Sequence, residues 1–176
     1  MEYPKAYILY LVHFHGDRDY FECHEILEEH WKAVESKDRT SHWVGLIQIA
    51  VALYHERRVN RLGAIRTITK ATNNLSYHRN KLEQLGLDVD KLFVLLQQTQ
   101  ERMDARMPYE SINLPLIDNQ LITLCMDECN KLGLTWKHDH PIINPNIINK
   151  HIKRDRSKII QERAHQLEIH AFKNRG

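Results

Sequence analysis

Apolar residues return every three or four positions through most of this chain, and the periodic runs are separated by Pro, Gly, Asp and Asn at places that suit helix ends. Pro4 opens the first run, Ile8, Leu9 and Val12 carry it, and Gly16 stands where it should stop. Asp17 or Asp19 can cap a second helix, whose Tyr20, Cys23, Leu27, Trp31 and Val34 form one seam that ends near Glu35. The third run begins after Ser41 and reaches about Arg57. It is apolar nearly all round from Trp43 to Tyr54, which predicts the central buried helix. Asn60 caps a fourth, with Leu62, Ile65, Ile68, Thr72 and Leu75, expected to continue as far as Gly86. A fifth runs from Asp88 through Val89, Leu92, Phe93, Leu96 and Met103 until Pro108 ends it. The chain then reads as extended to Pro115, helical again from Asp118 to Leu132, and stopped by Gly133. A connector containing Pro and Asn leads from Thr135 to Pro145 and a final helix. Val44 to Val51 is rich in β-forming residues, but it is too long for a typical strand and does not alternate. The expected fold is all-α: a compact multi-helix bundle over residues 1–133, a connector over 134–145, and an appended basic C-terminal helix over 146–176.

Composition agrees with an ordinary globular chain, at 176 residues with 42% hydrophobic and 27% charged. The N-terminal stretch meets histidines after a few apolar residues and lacks the cleavage pattern of a signal peptide, so neither export nor membrane insertion is expected. Cys23, Cys125 and Cys129 are an odd set without framework spacing, which argues against disulfides and for the cytoplasm. Cys125 and Cys129 stand one helical turn apart, and packing as small apolar residues is the plainer reading of the pair. A net charge of +2 is too small to suggest nucleic acid over the whole molecule. From Asn146 onward, however, eight basic residues stand against three acidic ones, which leaves room for nucleic acid or another anionic partner at the tail. A homo-oligomer also remains open.

Candidate chemistry concentrates in "HEILEEHW", His24 to Trp31. His24 and Glu28 lie one turn apart beside the Cys23, Leu27, Trp31 seam, with Glu25 and Glu29 turned further toward solvent. An imidazole and a carboxylate so spaced can chelate a divalent ion, act as an acid/base pair, or simply bond one another. On the third helix, Gln48 is the only strongly polar side chain between Trp43 and Tyr54. Gly45, Gln48, Ala52 and His55 share one face, so this stripe is expected to wall a cavity and to face His24 and Glu28. The candidate ligand-binding set is then His24, Glu25, Glu28, Trp31, Gln48 and His55, with His24, Glu28 and His55 as metal ligands. Two familiar metal patterns fail on spacing. Glu28 stands where a zinc-protease helix needs its second histidine, and Glu-x-x-His occurs only at Glu162 and His165 in the tail. His138 and His140 lie in a polar connector and read as solvated.

Taken together, "YFECHEILEEHW", "WVGLIQIAVALYH" and "NRLGAIRTITKA", in this order, resemble the bacterial family known as domain of unknown function 309. The resemblance covers roughly Phe14 to Leu75, and the rest of the chain looks like the longer members found in Gram-positive bacilli. It implies a compact helical bundle and an acidic-histidine helix, here His24, Glu25 and Glu28 with Trp31, and no established activity. Two functions of different class follow. In the first, a buried His/Glu/Gln site binds a divalent metal or small polar ligand, with hydrolysis as the chemistry in view. In the second, the Gly45 to Ala71 helical hairpin is a non-catalytic protein-interaction module; "ALYHERRVNRLGAI" loosely resembles one tetratricopeptide unit, without a second copy.

Overall fold

The computed structural model describes residues 2–137 and 144–150. They form eight helices: α1 Lys5–His15, α2 Tyr20–Glu35, α3 His42–Arg57, α4 Arg61–Ser76, α5 Arg79–Gln84, α6 Val89–Asp104, α7 Asn119–Lys131 and α8 Pro145–Ile148. Among the described residues there is no strand, and Leu87 and Leu116 make one isolated antiparallel bridge. The fold is therefore all-α. No helix among the described residues is long and apolar enough to cross a membrane.

Local sequence starts these helices as the pattern predicts. Asp19, Ser41, Asn60, Asp88 and Asp118 each accept a hydrogen bond from a first-turn amide of the helix that follows. Gly86 and Gly133 take φ values of 76° and 68°, where a side chain would be strained, and terminate α5 and α7. The fourth helix departs from expectation by breaking at Ser76 rather than running to Gly86. Asn and Ser side chains compete for backbone partners. Asn74 donates from Nδ2 to the Ser41 carbonyl at 3.2 Å and His78 donates from Nε2 to the Thr40 carbonyl at 2.6 Å, drawing the break toward the α2–α3 loop.

Helix α3 is central, packed between α2 and α4; α1 lies on α2 and α7, and α6 covers α4. Leu46, Ile49 and Leu53 on α3 are fully buried with Leu27 of α2 and Ile68 and Leu75 of α4. Three tyrosines in the core find partners for their hydroxyls, as buried phenols must. Tyr10 donates to the Leu46 carbonyl at 2.9 Å, Tyr7 to the Leu85 carbonyl at 3.0 Å, and Tyr20 pairs with the Tyr109 hydroxyl at 2.8 Å.

The extended stretch after α6 is fastened to the α1–α2 corner by two side chains. Arg18, at φ 56° in the left-handed region, donates to the Phe14 and Ile112 carbonyls at 2.9 and 2.7 Å and to Asn113 Oδ1 at 2.9 Å. His15 donates from Nδ1 to the Leu11 carbonyl, and its Nε2 accepts the Leu114 amide, both at 2.9 Å. At the other end of the chain, Lys150 reaches the Asp19 carboxylate at 2.7 Å and also contacts Glu22. The "HDH" histidines, the Glu162/His165 pair and nearly all of the expected basic C-terminal helix lie outside the described residues.

Candidate functional site

Helix α2 buries Tyr20, Cys23 and Leu27 against its neighbours, and this fixes the direction of the residues between them. His24 and Glu28 emerge one turn apart on the rim of that buried face. His24 Nδ1 lies 3.1 Å from Glu25 Oε1, and its Nε2 lies 3.2 Å from Glu28 Oε2. One donor atom from each of the three residues can be chosen so that all lie within 4.8 Å of one another. Lys32 holds the far oxygen of Glu28 at 2.9 Å. The site is not the buried one expected: the side chains of His24, Glu25 and Glu28 keep 29%, 27% and 32% of their exposure, so water and ions reach them.

The other sequence candidates are placed elsewhere. Phe21 packs 5.9 Å from both the His24 ring and the Tyr54 ring, so an aromatic residue separates His24 from α3. The Gly45, Gln48, Ala52, His55 stripe turns to α4 instead. A Cβ on Gly45 would fall 2.4 Å from Leu75 Cδ2, so the missing bulk admits a leucine rather than opening a cavity toward α2. Gln48 lines a separate pocket with Lys70 and Asn74 of α4. His55 accepts from Asn60 Nδ2 at 3.1 Å while Asn60 Oδ1 caps α4, which binds the histidine into the α3–α4 turn; burial and then Arg58 lower its pKa. Trp31 donates from Nε1 to the Asp38 carbonyl at 2.9 Å and fastens the loop after α2.

Glu56 was not singled out from the sequence. Its carboxyl is buried on the last turn of α3, with Oε2 unbonded, and burial raises its pKa to about 7 against the lowering influence of Arg102 and Arg61. The signal for it was present: Leu46, Ile49, Leu53 and Glu56 continue one buried seam.

The arrangement defines an all-helical protein whose second helix carries a solvent-reached His/Glu/Glu cluster. The family model described as domain of unknown function (DUF309) matches residues 7–67, the segment from α1 into α4 that contains this cluster. The uncharacterized protein YpuF of Bacillus subtilis (strain 168) is 47% identical over 166 residues, which cover 94% of this chain and 95% of that protein. The chain belongs to this family. No solved structure matches it.

Proposed function

We propose that His24, Glu25 and Glu28 bind a divalent metal ion that supports chemistry on a small polar ligand. The observation that carries this reading is the gathering of one imidazole nitrogen and two carboxylate oxygens within 4.8 Å on a solvent-reached rim. The donor set fits: one nitrogen and two oxygens suit zinc, manganese or nickel, and three protein ligands leave positions open for water or substrate, as catalytic sites do. An ion held there would acidify bound water, which is the basis for reading the site as hydrolytic. The same contacts also make an ordinary surface network with Lys32, worth about 0.2–1 kcal/mol per pair. That small magnitude makes the two readings separable.

Chelator-treated protein is expected to unfold at a higher temperature when zinc, manganese or nickel is added, because an ion that binds only the native state at a hundred times its dissociation constant adds about 2.7 kcal/mol. In His24→Ala and Glu28→Ala the metal-free midpoint should move little and the response should vanish. Thermal unfolding of the three proteins checks this. Equal responses in all three, or none in the wild type, would leave the helical-hairpin interaction reading, which is supported by Val59 and Leu62 standing 73% and 70% exposed at the α3–α4 turn. Residence in the cytoplasm belongs to the same proposal and is supported by three free, buried cysteines.

A further inference from the structure

We infer a second site, independent of the α2 cluster, that takes a nucleotide: the pocket of about 470 Å³ between the α2–α3 loop and the exposed faces of α3 and α4. Three kinds of group meet there, each lacking what a nucleotide supplies. Gln48 Oε1 and Asn74 Oδ1 are buried acceptors without a donor. The Asn74 amide is oriented by its Nδ2, which donates to the Ser41 carbonyl at 3.2 Å. Buried acceptors left bare are costly, and a turn of the Gln48 amide toward the pocket it lines would let its Oε1 accept from a ligand that presents N–H or O–H groups, as a base edge does.

Arg39 of the α2–α3 loop and Lys70 of α4 line the same pocket, both exposed, and among the described residues neither is paired with a carboxylate. The neighbouring carboxylate, on exposed Asp38, accepts instead from the Thr40 amide and hydroxyl at 2.8 and 2.6 Å. Two cations without a carboxylate partner at the mouth of the pocket select an anion, and phosphate is the one a guanidinium and an ammonium hold in common. Tyr77, also lining the pocket, stands 86% exposed, an uncovered aromatic face of the kind on which bases stack. The volume falls in the range of small-molecule pockets. Phosphate, aromatic heterocycle and hydrogen-bond donors occur together in a mononucleotide. Neither inorganic phosphate nor a nucleoside offers all three.

The test is titration calorimetry on the full chain in chelator, with AMP, GMP, CMP and UMP, each base's nucleoside, inorganic phosphate, and a single-stranded oligonucleotide. At least one mononucleotide is expected to bind with a dissociation constant below ~1 mM, and its nucleoside and phosphate at least about tenfold more weakly. Arg39→Ala and Lys70→Ala should each weaken it about tenfold without moving the unfolding midpoint. Gln48→Leu should lose the preference among bases while leaving stability equal or higher, since it removes a bare acceptor; a purely structural glutamine would destabilise when replaced. His24→Ala should bind as the wild type does, which keeps this result separate from the metal reading. No mononucleotide binding at millimolar concentration, equal binding by the Arg39 and Lys70 variants, phosphate as tight as the nucleotides, or an oligonucleotide bound where mononucleotides are not, would each overturn the inference.

Discussion

Between pH 7 and pH 4 this protein is expected to lose about 3 kcal/mol of stability, and His15 should account for most of it. An unfolded histidine takes a proton near pH 6.5, whereas burial, with Arg18 and Lys137 nearby, lowers folded His15 to about 3. Across that window the unfolded chain binds more protons, so acid favours unfolding at about 1.4 kcal/mol per pH unit. Burial lowers His42 to about 4, against the opposing charge of Glu35 and with His78, Lys81 and His30 adding to the effect. Glu56 has the opposite sign. Burial holds it protonated up to about pH 7, so it adds stability below the unfolded carboxyl value of 4.5 that fades as pH rises to 7. His42 and Glu56 roughly cancel. At His13 burial works downward, but Asp17 at 3.1 Å outweighs it and raises the pKa, a smaller contribution that favours the folded state in acid. Urea midpoints measured from pH 4 to 7 should therefore fall steeply on the acid side in the wild type. In His15→Leu they should start about 1–3 kcal/mol lower at pH 7, because the Leu114 amide and Leu11 carbonyl lose their partner, and then fall with a much shallower slope. An unchanged slope in the variant would remove His15 from this role.

Replacing Gly45 by Val is expected to destabilise the chain by about 1–3 kcal/mol, although glycine in a helix interior ordinarily costs up to about 1 kcal/mol relative to alanine. The decisive magnitude is distance: the added Cβ would fall 2.4 Å from Leu75 Cδ2 and 2.6 Å from Leu75 Cγ, and Leu75 is itself fully buried. No rotamer of valine avoids its own Cβ, so α3 and α4 must part or Leu75 must leave its well. Leu75→Ala alone should cost about 2–5 kcal/mol through the cavity it leaves, and the double variant should be more stable than the sum of the two predicts. Denaturant unfolding of the four proteins measures this coupling. Additive effects would mean that the two residues do not share the space.

Much of the fold was legible because it is written locally. Ser41, Asn60, Asp88 and Asp118 each sit a few residues before the amide they cap, and the apolar period of α3 marks it as central without knowledge of its neighbours. The break after Ser76 was not legible, because it depends on Asn74 and His78 meeting carbonyls more than thirty residues earlier. His24, Glu25 and Glu28 were legible as a group because one helix turn brings them together. Their union with Gln48 and His55 was not. A gap such as Gly45 looks the same in sequence whether a cavity or a neighbour's leucine fills it, and only the packing of α4 settles the direction of the stripe.

The fastening at Arg18 also sets an order in time. Its partners at Ile112 and Asn113 lie 94 and 95 residues further along the chain, and the amide that meets His15 lies 99 residues away. During synthesis, at about 5–20 residues per second, α1 and α2 therefore wait on the order of five to twenty seconds before the segment that completes their corner has been made. Through that interval a left-handed arginine and an apolar-walled histidine have none of their distant partners. The N-terminal pair of helices thus cannot close as a finished unit on its own, and its completion is tied to the arrival of the second half of the chain.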